Sequence, residues 1–408
     1  LKSRLKLEAA FLLVLFLVAF VLKVYLAGRF EGYKIDVMDF KIWSRVMFQV
    51  GPLDFYDRVW SDYPPVYMYV LGLVGWFYRT FFSPGFDLNT QIFTVLIKLP
   101  AILADLLTAM LVYKITARAA GEKAGLLVFA FYAFNPAVIY TSSIWGQIDS
   151  FYSLFLVSAL YFILNRRPTL AGVFLVVAVL TKPQSLVILP FMALAFILCY
   201  RPWEILKSLA VSIPVFLVLA VPPYLGNPLR LVENYLGAYG YYAFNSINAF
   251  NFWAFLGFWK PDNTVYLLSY RTWGYIFFAL VYLFTFYYLL SQPDRNDRDF
   301  YLGAAFIFLG FFMVFTRVHE RYIFPVLPFL AAVMARDRRL AMVFMVLTFT
   351  VLFNLYYVLQ FLNRDSFIPD GDPYVLLTST LNGAAFIYLT NHLAMKIQKP
   401  LVQWRGQD

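Results

Sequence analysis

The chain has 408 residues, of which 62% are apolar, 21% aromatic and 14% charged, with 33 basic against 23 acidic side chains. A soluble surface needs about a quarter of its residues charged, so most of this surface faces lipid, and the aromatic content excludes a disordered or low-complexity chain; the mean hydropathy of +0.69 agrees. One cysteine, Cys199, excludes an intrachain disulfide, and two histidines argue against a histidine-rich metal site.

Lys2, Arg4 and Lys6 precede an apolar run over residues 9–28. That run is too long for the core of a signal peptide and lacks a small-x-small cleavage site, so it reads as an uncleaved first span. Further stretches of span length fall at 92–113, 125–143, 150–164, 169–181, 185–200, 205–224, 272–291, 300–316, 322–335, 339–361 and 376–394. The pattern predicts an all-α integral membrane protein with about twelve transmembrane helices, residues 1–408 forming a single multi-span membrane domain. One more apolar stretch, 66–82, sets the phase of every later helix.

Short cytoplasmic loops carry an excess of Lys and Arg, and this settles that phase. Basic clusters stand at Lys2/Arg4/Lys6, Lys114/Arg118/Lys123, Arg166/Arg167, Arg201/Lys207, Arg295/Arg298, Arg336/Arg338/Arg339 and Lys396/Lys399/Arg405, together 18 of the 33 basic residues. If 66–82 does not cross, all seven lie on one side; if it crosses, the first opposes the other six. The expected arrangement has both termini cytoplasmic in the cell (plasma) membrane and two long extracytoplasmic loops, 29–91 with an interfacial or re-entrant helix, and 225–271. The positive charge then reads as topology and contact with anionic membrane lipids, with no nucleic-acid partner.

Polar motifs collect on the expected outer face. Asp36 and Asp39, three apart, share a face of a helix. Asp62 and Tyr63 precede Pro64-Pro65, either as a plain turn or as a site held near the interface. Trp145-Gly146-Gln147-Ile148-Asp149-Ser150, Thr181-Lys182-Pro183-Gln184 and Thr316-Arg317-Val318-His319-Glu320-Arg321-Tyr322 follow. A carboxylate here can accept a proton from a sugar hydroxyl, and Lys182, Arg317, His319 and Arg321 can bind a phosphate leaving group. Asn248, Asn251 and Trp253 offer amides and a ring to sugar hydroxyls. Lys98 and Asp105, seven apart in one span, read as a structural ion pair, with a catalytic pair as the alternative. There is no glycine-rich phosphate loop, and neither an HExxH nor a CxxC pattern, so a phosphate-bearing lipid rather than a nucleotide is the expected donor.

Asp36-x-x-x-Phe40-Lys41-x-Trp43, Asp62-Tyr63-Pro64-Pro65, Trp145 to Ser150, Lys182-Pro183-Gln184 and His319-Glu320-Arg321-Tyr322 occur in this order. In these motifs, over about residues 20–335, the sequence resembles the GT-C glycosyltransferases, above all prokaryotic mannosyltransferase-like members and more distantly the endoplasmic-reticulum glucosyltransferases that extend lipid-linked oligosaccharides. The resemblance implies a GT-C fold and an enzyme, a hexosyltransferase that moves mannose, with inversion, from a polyprenyl-phosphate donor to a hydroxyl of a glycan or glycolipid acceptor on the extracytoplasmic face. It implies an acidic general base in the first outer loop; Asp36, seven residues before Trp43, fits, and Asp39, just before Phe40, is its rival. Donor phosphate falls to Lys182, His319, Arg321 and Arg317, and substrate contacts to Asp62, Tyr63, Gln147, Asp149, Gln184, Glu320, Asn248, Asn251 and Trp253. No cofactor and no metal site are expected: metal-dependent relatives carry a second carboxylate where Asp149 stands, but here it lacks an acidic neighbour. Glucose or arabinose on the same scaffold is an alternative. A transporter or lipid flippase is another, which repeated halves and charged midplane helix breaks would mark.

Overall fold

The computed structural model describes residues 2–397; Lys399, Arg405 and the side chains of Lys2, Arg4 and Lys6 lie outside the described residues. The chain is helical almost throughout, and all twelve apolar stretches lie on helices. In chain order these are α1 (Lys2–Arg29), α2 (Lys34–Arg58), α3 (Pro65–Phe81), α4 (Gln91–Ala120), α5 (Glu122–Ala133), α6 (Pro136–Ile139), a π-helical turn (Tyr140–Trp145), α7 (Asp149–Leu164), α8 (Pro168–Val179), α9 (Leu189–Cys199), α10 (Pro202–Ala220), α11 (Leu229–Tyr241), α12 (Tyr270–Leu290), α13 (Asp297–Val314), α14 (Val326–Met334), α15 (Arg338–Leu362) and α16 (Pro373–Ile397). Five are long and apolar enough to cross a bilayer: α1 from Glu8, α4, α10, α12 and α15. α5 with Pro136–Trp145 makes a sixth, bent by 42°. The other stretches read as spans are shorter or more polar helices, so the described residues hold five or six full-length spans against the twelve expected. The chain is an all-helical, multi-pass membrane protein.

Two compact units divide the chain, the first comprising Leu1–Leu186, Cys199–Tyr241 and Leu362–Asp365, the second Val187–Leu198, Tyr242–Phe361 and Ser366–Asp408. In the first, the stretch expected as a loop with one helix carries two, α2 and α3, with a core of their own. Phe40, Trp43 and Met47 from α2 and Tyr67, Met68 and Leu71 from α3 pack with Phe93 and Ile97 of α4. Aromatic burial of this kind is worth roughly 2 kcal/mol per fully buried ring, enough to make the segment part of the fold. α2 breaks at Gly51, where the backbone turns to φ 73° just before Pro52. α4 starts where the Thr90 hydroxyl caps the Phe93 amide and stops at Gly121.

Within that bundle the expected Lys98–Asp105 pair does not form. Asp105 takes the ammonium of Lys23 on α1 at 2.9 Å and the hydroxyl of Ser142, all three side chains being buried. Lys98 bonds three backbone carbonyls instead. Seven residues span two helical turns, about 10 Å along the axis, so a shared face does not bring two groups into contact when each has nearer partners.

In the second unit α13 is buried from Asp299 to Met313, packed between α12, α14 and α16. It begins in a capping box of Asn296 and Asp299. The stretch 225–271, expected as one loop, divides: α11 belongs to the first unit, and the remainder folds in the second, ending in the short hairpin of β1 (Val265–Tyr266) and β2 (Leu268–Ser269).

Candidate functional site

In the first unit the site starts at the N-terminal turn of α2. Asp36 lies there, half-buried, where the positive end of the helix favours a carboxylate. Its Oδ2 accepts the Trp145 Nε1–H at 2.9 Å and the Gln147 Nε2–H at 2.5 Å. Both donors come from the segment between the π-helical turn and α7. Gly146 turns that segment with φ 92°, and the Gly146 and Gln147 amides both donate to Thr141 O, at 3.1 and 2.9 Å. A second glycine, Gly32 at φ 87°, lets the chain entering α2 pass so close that a Cβ there would sit 2.1 Å from Trp145 O.

The network continues inward. Tyr63 donates its hydroxyl to Gln147 Oε1 at 3.3 Å, and its ring faces the Lys182 ammonium at 5.8 Å. Lys182 also lies 5.5 Å from the Tyr152 ring and pairs with Asp149 at 2.9 Å, both charges fully buried. Removal of one partner from a buried pair of this kind costs about 3–5 kcal/mol, because it leaves the other charge buried and uncompensated. Asp36, Tyr63, Gln147, Asp149 and Lys182 therefore join in one run of contacts. Asp39, the rival base, is half-buried on the same helix; partial burial and the neighbouring Asp36 charge push its carboxyl above the usual carboxylate range. Lys41, on the same helix, donates to Leu88 O at 2.8 Å. Asp62 is half-buried beside Tyr63, and the buried Oε1 of Gln184 takes no hydrogen bond among the described residues.

In the second unit the cationic motif folds around its own acid. Glu320, buried, accepts from Arg321 Nη1 at 2.6 Å and lies 3.8 Å from His319 Nδ1. Burial pushes this carboxyl up, but the Arg321 guanidinium and the His319 imidazole together outweigh it and hold it down at about 2. Arg317, in the left-handed region at φ 63°, donates through Nε to Asp262 at 2.6 Å. His319 bridges to Ile247 and Asn248 and stands edge-on to Tyr242 at 4.9 Å.

The amide loop is engaged with its own scaffold. Asn251 caps the Trp253 amide and donates to Phe312 O, and Trp253 Nε1 donates to Val314 O. Asn248, at φ 60°, accepts from Trp259 Nε1. The groups that pin this loop were not among the expected site residues. Asn354 on α15 accepts from Phe250 N at 3.0 Å and donates to Asn248 O at 2.9 Å, while Asn382 on α16 donates to Phe250 O at 2.8 Å. Their signal in the sequence was a carboxamide inside an apolar helix, where a polar group needs a partner. Asp262, the partner of Arg317, lies in an ordinary polar loop and carried no signal. Among the described residues no group of three or more His, Cys, Asp or Glu side chains gathers as metal ligands would.

The fold and these polar networks define a multi-pass helical membrane protein with a hydrogen-bonded carboxylate in the first turn of α2. Residues 44–221, less than half of the chain, match the family model of the GPI transamidase subunit PIG-U. No curated protein matches the chain.

Proposed function

We propose that the chain is a membrane glycosyltransferase of the GT-C type, moving a sugar, with mannose as the favoured one, from a polyprenyl-phosphate donor to an acceptor hydroxyl with inversion. The observation that carries this reading is the state of Asp36. Two neutral N–H donors hold Oδ2, and Oδ1 takes no hydrogen bond among the described residues. A general base needs this arrangement: one oxygen orients the group and the other meets the substrate proton. In the reaction the acceptor oxygen bonds to the anomeric carbon from the face opposite the phosphate, the carbon–oxygen bond to phosphate breaks, and Asp36 takes the hydroxyl proton. Lys182, engaged with Asp149, acts in this reading by keeping Tyr63 and Gln147 in place. With all twelve apolar stretches crossing, the basic clusters fall on one side, which favours cytoplasmic termini and an extracytoplasmic active face.

A second reading has a specific observation in its favour, the match to a GPI transamidase subunit over residues 44–221. On that reading the chain is a subunit of a transamidase-like membrane complex and transfers no sugar itself. Purified protein in lipid nanodiscs, given polyprenyl-phosphate mannose, glucose or arabinose and a panel of glycolipid acceptors, distinguishes the two. Transfer by the parent chain and its loss in Asp36→Asn is the result expected. Absence of transfer from every donor, together with co-purification of partner subunits, would favour the second reading.

A further inference from the structure

Lys98 is fully buried on α4, yet among the described residues no carboxylate pairs with it. Its ammonium donates to Phe30 O at 2.6 Å, Ser143 O at 3.0 Å and Ile144 O at 3.0 Å. An ammonium has three N–H donors, so the set is complete. The acceptors belong to two strands of backbone that meet at Asp36. Phe30 lies just past the end of α1, on the connection that turns at Gly32 into α2 and so to Asp36. Ser143 and Ile144 are in the last turn of the π-helix, directly before Trp145 and Gln147, the two donors to Asp36. Carbonyls in the last turn of a helix lack intrahelical partners and attract a cation. The fit is close: a Cβ on Gly146 would lie 3.0 Å from Lys98 Cε and 3.4 Å from Val37 Cγ2.

We infer that Lys98 is the positioning residue of the Asp36 site, its buried ammonium clamping the backbone that leads to the carboxylate against the backbone that carries the two donors. This rests on the general-base reading of Asp36 for its catalytic consequence and on geometry alone for its structural one. Lys98 touches no substrate; it fixes the angle at which Oδ1 is presented.

The experiment compares the parent with Lys98→Met and Lys98→Arg in nanodiscs, by hydrogen–deuterium exchange and by steady-state transfer from the donor that the parent uses. Lys98→Met should speed exchange at residues 30–37 and 143–148 while the second unit keeps the parent rates, whether or not the transfer reaction is the right one. Turnover should fall by about 10-fold or more with the donor KM within about twofold, because an interaction that orients the base acts after binding. In the Asp36→Asn background the same substitution should cost no further turnover, since there is no base left to orient. Lys98→Arg keeps charge and donors but not size, and should recover part of the turnover. Parent-like exchange at both segments in Lys98→Met would overturn the clamp. A loss confined to the donor KM, or a full further loss in the Asp36→Asn background, would overturn the positioning role. Should the Met variant fail to accumulate, Lys98→Gln takes its place; failure of both would assign Lys98 to folding and reject the positioning role. A parent chain without transfer activity defeats the glycosyltransferase reading but leaves the exchange result to judge the clamp.

Discussion

The turn before α7 and the loop before α12 both carry aromatic and amide side chains, and they use them in opposite ways. Around Trp145 and Gln147 the side chains reach across to other elements and end on functional groups: Asp36 from α2, Tyr63 ahead of α3, and beyond it the Lys182–Asp149 pair. Around Asn245, Asn251 and Trp253 the same chemistry turns inward, each amide or indole bonding a backbone carbonyl or amide of its own unit. The first arrangement leaves one oxygen of Asp36 without a hydrogen bond among the described residues. The second leaves a rigid loop against which His319 is bridged. Residue type alone does not separate a site from a scaffold; what the polar atoms bond to does.

The largest effect expected from this contrast is at Asp36. Asp36→Asn keeps size and the two incoming hydrogen bonds but cannot accept a proton, so turnover should fall by about 100- to 10,000-fold with donor binding preserved. Parent-like turnover in this variant would remove general-base chemistry from the first unit. Next in size is the second unit's response to acid. Glu320 has its carboxyl held at about 2 against an ordinary 4.5, so its stabilisation is complete above pH 4.5 and is lost as pH falls from there towards 2. The span corresponds to roughly 3 kcal/mol. Thermal melts of the parent against Glu320→Gln over that pH range should show the acid sensitivity shrinking in the variant, and identical pH dependence would place the charge elsewhere.

Asn354 provides a test of the inward-turned loop. Asn354→Ala leaves the Phe250 amide and the Asn248 carbonyl without their buried partner, a cost of about 1–3 kcal/mol. Exchange should rise at residues 246–251 and not at 143–148; a rise at both would mean that the two loops are not independently held. The smallest effect is at Asp39. Its raised carboxyl means that the fold favours the protonated form more than the unfolded chain does, so its contribution is present below pH 3.8 and lost as pH rises through the raised value. Asp39→Asn should therefore melt slightly above the parent at pH 7, with the gain vanishing below pH 3.8. A lower melting point at pH 7 would show that the ionised carboxylate is itself a structural acceptor.

The sequence by itself determined the class of protein, because lipid tolerates little besides apolar helices and 62% apolar residues leave no other solvent for this surface. It also marked the short polar motifs that the fold joins in the first unit, since Asp36, Tyr63, Gln147, Asp149 and Lys182 stand out against apolar surroundings. Partners were another matter. Lys98 and Asp105 share a face of one helix, but Lys23 comes to Asp105 from 82 residues away and three carbonyls come to Lys98 from 45 to 68 residues away. The same holds for Asp262 with Arg317 and for Asn354 with the loop it pins. A span reads as apolar from its composition, whereas the partner of a buried polar group is chosen by which backbone the packing brings within about 3 Å. That choice is made only when the helices are assembled.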